Sequence, residues 1–254
     1  MKLAGLPKFA LQSTLVGALI VALSGCGGTN LALTQGNWSV AATSSTPANS
    51  FSVGGNLTQT GSTVSGTMYV SGSACFDSSQ PVTITGTVKG SRVTLTSAAV
   101  AGQVITVSAT GTASSLTGTY AVAGGQCDGD QGTVTANAVP SLSGTWNGTV
   151  LVSSAPVTMS IALTQAATAS TDGTFALSGT VTYTGSVCSS TASIINPSTG
   201  AGTELGVNAD LGTGSFNYTA SLDSATAPKN ITGTYSVSDS CASDLDQTVT
   251  LTKQ

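Results

Sequence analysis

The stretch Leu116-Thr117-Gly118-Thr119-Tyr120 recurs as Ile231-Thr232-Gly233-Thr234-Tyr235, and reading the two together decides the fold. In each, a large apolar residue, a glycine and a tyrosine alternate with threonines. Successive side chains of a strand point to opposite faces, so a period of two predicts a strand with one apolar and one hydroxyl-bearing face. Four further matches lie around this one in the same order. Gly36-Asn37-Trp38 answers Gly144-Thr145-Trp146, and Leu57-Thr58-Gln59 answers Leu163-Thr164-Gln165. Ser65-Gly66-Thr67 stands as far before Cys75 as Ser178-Gly179-Thr180 stands before Cys188, and Gly132-Thr133-Val134-Thr135 answers Gln247-Thr248-Val249-Thr250. An ordered series of this kind marks a tandem duplication. The copies span about residues 32–139 and 141–254, hinged near Pro140.

Each copy reads as short strands of alternating apolar and polar residues between turn clusters. In the first they lie near Trp38–Ala41, Phe51–Gln59, Val64–Val70, Val82–Val88, Val93–Ser97, Val104–Ala109, Leu116–Val122 and Thr133–Ala138. No connection suits a crossover helix, so neighbours pair antiparallel. Eight such strands in chain order close into an up-and-down barrel without exposed edges, and a two-sheet β-sandwich is the alternative. The predicted class is therefore all-β, two eight-stranded antiparallel barrels in tandem. The inward set includes Val64, Gly66, Met68 and Val70 in one strand and Leu116, Gly118, Tyr120 and Val122 in another. Mid-strand glycines on that face, Gly66, Gly86, Gly118, Gly179 and Gly233, relieve crowding and permit curvature.

Composition agrees. Charged residues make up only 6% of the 254-residue chain while the apolar fraction is 40%. Disorder combines low hydrophobicity with high net charge, and a Ser/Thr-rich stalk would lack the regular alternation seen here. Beyond residue 26 the cations are Lys89, Arg92, Lys229 and Lys253, against ten acids. So few cations cannot neutralise a run of phosphates, which excludes nucleic acid and electrostatic docking on anionic lipid.

Residues 1–25 read as an export signal. Lys2 and Lys8 precede an uncharged, mostly apolar run from Phe9 to Leu23, too short for a spanning helix. It ends in Leu23-Ser24-Gly25-Cys26, which resembles the lipobox of bacterial lipoproteins. The resemblance implies a diacylglyceryl group on the Cys26 thiol, cleavage just before it, and residues 26–31 as tether. Two or three acyl chains anchor stably where one does not. An ordinary secretory signal with an incidental cysteine is the alternative. Gly27 in place of Asp implies outer-membrane sorting in enterobacteria-like lineages.

The other cysteines, Cys75, Cys127, Cys188 and Cys241, fall two per copy at nearly equal spans. In an exported chain that pattern predicts two disulfides, one within each copy, although four cysteines allow three pairings. The first of each pair follows strand three and the second follows strand seven, at one end of an up-and-down barrel. A metal or redox site is the alternative, without a CxxC or any histidine to build on.

Absence of histidine rules out Ser-His-Asp and Cys-His catalysis and His-containing zinc sites. Paired carboxylates remain: Asp128 with Asp130 and Asp244 with Asp246, each in the loop after the second cysteine of its copy. Solvated turns are their ordinary role, with a weak calcium site as the alternative and acid–base catalysis as a third. The stretch Ile194–Gly214 of copy two, with Glu204 and Asp210, is longer and less repeated than the rest and is the place to seek a specialised partner site.

Gly36-Asn37-Trp38 and Gly144-Thr145-Trp146 resemble the Gly-x-Trp that opens the first strand of lipocalins and avidins. The resemblance implies an eight-stranded barrel plugged at one end by Trp38 or Trp146, its open end taking a small ligand. The chain departs from lipocalins in having no late arginine to pack on this tryptophan, since none follows Arg92. It departs from avidins in lacking a recognisable aromatic ring for biotin. These readings predict a non-enzymatic lipoprotein of the bacterial envelope, on the outer membrane, without a cofactor. Its expected role is structural or in binding an envelope protein or glycan, and a carrier of small apolar ligands is the alternative.

Overall fold

The computed structural model describes residues 29–254 apart from 77–79, 153–154, 186–188, 213 and 239–242, and describes only the backbone of 152, 189 and 243–246. Copy one contains β1 (Gly36–Ser44), β2 (Phe51–Thr60), β3 (Thr63–Ser71), β4 (Pro81–Lys89), β5 (Arg92–Ser97), β6 (Val104–Gly111), β7 (Ser115–Ala123) and β8 (Gln131–Ala138). Copy two contains β9 (Gly144–Val152), β10 (Ala155–Gln165), β11 (Phe175–Thr184), β12 (Ser189–Ala201), β13 (Glu204–Asp210), β14 (Ser215–Leu222), β15 (Asn230–Ser238) and β16 (Ser243–Lys253). Each set is a closed antiparallel barrel in chain order, β1 pairing with β8 and β9 with β16. Closure decides between barrel and sandwich. Among the described residues no helix is long and apolar enough to cross a membrane.

The alternation read from the sequence is the one that packs. Leu116, Tyr120 and Val122 of β7 are buried with Val64, Met68 and Val70 of β3, while Thr117 and Thr119 are exposed and stand in register with Thr135 and Thr133 of β8. On barrel two the Thr232 and Thr250 hydroxyls meet at 2.8 Å across β15 and β16. Burying each large apolar side chain contributes about 1.5–3 kcal/mol, and the outer threonines keep strand propensity without charge. The glycine of the repeated pentapeptide is a steric requirement in both copies. A Cβ on Gly118 would overlap the Ser108 carbonyl and come within 2.6 Å of Ala109 Cα, and one on Gly233 would overlap the Thr219 carbonyl.

Both repeated motifs close the same barrel end. Trp38 is fully buried and its Nε1–H donates to the Thr34 carbonyl at 2.8 Å, while Trp146 donates to Leu142 at 3.0 Å. The chain entering β1 is held down by Gln59, whose Oε1 accepts from Leu33 N at 2.7 Å. Gln165 accepts from Leu142 N at 2.8 Å in the same way. The glutamine of each Leu-Thr-Gln thus ties the entering segment over the tryptophan plug. A late cation does pack on one plug: Lys253 Nζ lies 5.1 Å from the Trp146 ring centroid.

At the other end of barrel one, Cys75 and Cys127 form a disulfide. Beneath it the fully buried Gln103 donates to the Cys75 carbonyl and accepts from Cys127 N at 3.0 Å. Phe76, next to the disulfide, packs edge-on against Phe51, which packs edge-on against Tyr120, each pair at 5.0 Å. Cys188, Cys241 and Cys26 lie outside the described residues.

The link at Pro140 is packed on both sides. Val139 N donates to the Asn37 carbonyl in barrel one at 2.8 Å, while the side chains of Val139 and Leu142 join the core of barrel two.

Candidate functional site

Two segments of barrel two reach the wall of barrel one, and both come from places where the copies differ. The β2–β3 turn needs only Gly61 and Ser62, whereas residues 166–174 connect β10 to β11. The hairpin of β12 and β13 is the other. Its register shifts between Ile195 and Thr199, a bulge that admits Pro197 into a strand. Ser198 fills the gap, donating to the Ile195 carbonyl at 2.6 Å and accepting from Asn208 N at 2.8 Å.

At the tip of that hairpin Gly202 is clamped by Asn37 of β1. Asn37 Nδ2 donates to the Gly202 carbonyl at 2.9 Å, and Gly202 N donates to Asn37 Oδ1 at 2.7 Å. The pair is buried, so both ends of the amide are satisfied where leaving either open would cost about 1–3 kcal/mol. Close approach needs glycine on each side. A Cβ on Gly54 would stand 2.7 Å from the Ala201 carbonyl, and one on Gly202 would stand 2.7 Å from Gly54 Cα. The β10–β11 loop makes the second contact. Tyr69 of β3 donates to Asp172 Oδ2 at 3.3 Å, while Asp172 Oδ1 accepts from Thr174 N at 3.0 Å and Thr174 Oγ1 at 2.9 Å.

Between these contacts lies a cleft of about 450 Å³. Barrel one contributes the outward residues Ser39, Ser52, Gly54, Tyr69 and Ser71. Asp172 and Thr174 stand opposite on the long loop, and Pro197, Thr199, Thr203 and Glu204 on the hairpin, with Thr219 of β14 behind them. Glu204 accepts from Ser221 Oγ at 2.7 Å. The backbone and side-chain bonds from Thr174, with that from Tyr69, outweigh burial and hold the Asp172 carboxyl below its ordinary range. Burial, then the Asp172 charge, pushes Tyr69 up. Asp172 is therefore an ionised acceptor at neutral pH.

The interior of barrel one is close to full. Barrel one holds an apolar space of about 40 Å³ among residues such as Phe51, Met68, Leu95 and Val134. Small-molecule sites occupy about 300–1,000 Å³. In barrel two Tyr183, Phe216, Tyr218 and Tyr235 are buried across the core.

The paired carboxylates of copy one face different partners. Asp128 Oδ1 accepts from Gly124 N at 2.7 Å within its turn. Asp130 turns to the barrel mouth, where it accepts from Ser44 at 2.6 Å, Tyr120 at 2.8 Å and Asn49 at 3.3 Å. Burial raises the Asp130 pKa, and these bonds together with the Gln131 backbone outweigh it, leaving the carboxyl below its ordinary value. Burial above all pushes Tyr120 up to about 12. The side chains of Asp244 and Asp246 lie outside the described residues. Among the described residues no group of three or more Cys, Asp or Glu is placed to hold a metal ion.

Sequence reasoning pointed at Ile194–Gly214, and the structure places Pro197–Gly206 of that stretch on the cleft, with Asp210 at the far end of β13. It missed Tyr69, Ser52 and Asp172. The extra length of the β10–β11 connection relative to β2–β3 was the available signal.

No protein-family model matches the chain, and no curated protein matches it. Among solved structures it is similar to kievitone hydratase from Nectria haematococca, at 11% identity over 93% of this chain and 94% of that one, with a TM-score of 0.25. That neighbour is an enzyme, and against it the expectation of a non-enzymatic chain is withdrawn. A likeness this distant carries no argument about what this chain binds or does.

Proposed function

We propose that the protein is exported to the bacterial envelope, anchored in the outer membrane through lipidated Cys26, and binds a ligand in the cleft between its barrels. The barrel fold is compatible with a binding role. The observation that carries the choice of site is the cleft itself, about 450 Å³ walled by both copies and held open by the Asn37–Gly202 clamp, against about 40 Å³ inside barrel one. That contrast favours the cleft over a carrier of apolar ligands in a barrel. The anchor rests on the lipobox resemblance of Leu23–Cys26.

One preparation tests both halves. The full chain is expressed in a bacterium fed labelled palmitate, purified from the membrane fraction and examined by native mass spectrometry. The account expects label in the wild type and none in Cys26→Ser. It also expects a bound species that Ser52→Trp, which fills the cleft from β2, abolishes. Labelling without any bound species would leave the anchor and remove the cleft. Absence of label would remove the anchor.

A further inference from the structure

We infer that the ligand of the cleft is a neutral saccharide of about disaccharide size, an inference that rests on the cleft being the binding site. Eight of the sixteen lining residues carry a hydroxyl from Ser, Thr or Tyr, each able to donate and accept, set in a lining surface that is mostly apolar. No lysine or arginine is among the described residues that line it, so an anionic ligand would have no counter-charge. The two carboxylates, Asp172 and Glu204, accept only, and they call for a ligand that donates. Asp172 is already preorganised: Oδ1 takes two bonds from Thr174 and Oδ2 takes one from Tyr69. A carboxylate offers about four acceptor positions, which leaves Oδ2 room for one more donor beside the Tyr69 oxygen. That arrangement suits a single O–H, and its charge makes the bond stronger than one between neutral groups. The Tyr69 ring and Pro197 supply apolar surface for the C–H face of a sugar. A volume of about 450 Å³ lies within the range of small-molecule sites and has room for two pyranose rings. A cationic amine would also satisfy two carboxylates, but it carries no acceptor for the surrounding hydroxyls to donate to.

Isothermal titration calorimetry of the mature chain provides the test, with cellobiose, maltose, lactose and N,N′-diacetylchitobiose as neutral probes and spermidine as the cationic one. The expected result is saturable binding of at least one of the sugars, weakened by about tenfold in Asp172→Ala. Binding should be abolished in Ser52→Trp and in Thr219→Trp, which fill the cleft from opposite barrels. Both sites are exposed, and an unchanged circular dichroism melt in either blocking variant separates loss of binding from loss of fold. Binding of spermidine alone, abolished by the same two variants, would overturn the saccharide and keep the cleft. A sugar that binds both blocking variants as it binds the wild type would overturn the cleft as well. No binding of any of the sugars would overturn the saccharide inference.

Discussion

Asp130 reads in the sequence as half of an Asp-Gly-Asp turn, one of two carboxylates with the same prospects. In the fold it joins Ser44, Asn49 and Tyr120 at the mouth of barrel one, while Asp128 stays with its own loop. Nothing in the local sequence distinguishes the two, because the difference is set by which face of the chain entering β8 meets the barrel. The pH dependence follows from the shifts. The folded state holds the Asp130 proton less tightly than the unfolded chain, so its stabilising effect is complete above the ordinary carboxylate pKa of 3.8. It is lost as pH falls through and below that value. Tyr120 works in the opposite sense. Its pKa of about 12 exceeds the ordinary 10.0, so its contribution is complete below pH 10 and is lost between about 10 and 12. Asp130→Ala should cost about 1.5–3 kcal/mol in urea unfolding at neutral pH, the range for hydrogen bonds to a charged group, and should flatten the acid side of the stability profile. An unchanged acid side would show that the network contributes nothing.

Strands were legible because their period of two survives packing unchanged, and all eight of copy one fall within a few residues of the sequence reading. How the barrel ends are closed was legible only in part. The Gly-x-Trp resemblance implied a tryptophan plug, whereas Leu-Thr-Gln stood out only as a repeat, and their joint role depends on Gln59 and Gln165 reaching residues more than twenty positions away. Contacts of that range leave no periodic trace. Lys253 on Trp146 belongs to the same group, invisible until β16 returns beside β9. The disulfide was legible from duplicated cysteines read together with the expectation of export, and Gln103 beneath it was not. Replacing Cys75 and Cys127 together by serine should cost about 2–4 kcal/mol, since the bond closes a loop of 52 residues in the unfolded chain. Equal urea midpoints for the oxidised wild type and the double variant would show that this staple does not contribute to stability.

Duplication makes the two barrels, and departures from duplication make the molecule. Asn37 stands where copy two has Thr145, Gly202 tips a hairpin that is longer than the β4–β5 hairpin of copy one, and Asp172 sits in a connection copy one keeps to two residues. Each difference is written in the sequence, yet alignment of the copies shows only that they diverge, not that the divergent pieces meet. Gly202→Val should separate the barrels, because its Cβ would press on Gly54 Cα and a β-branched residue does not readily adopt φ +59°. The radius of gyration from small-angle scattering should rise while both barrels keep their melting behaviour. An unchanged radius would place the rigidity elsewhere. The central claim is that the barrels form one body with a fixed cleft between them, and residual dipolar couplings of backbone amides in residues 29–254 test it most directly. The account predicts that one alignment tensor fits β1–β8 and β9–β16 together. Two different tensors would contradict it, since a cleft whose walls move independently cannot hold a preorganised site.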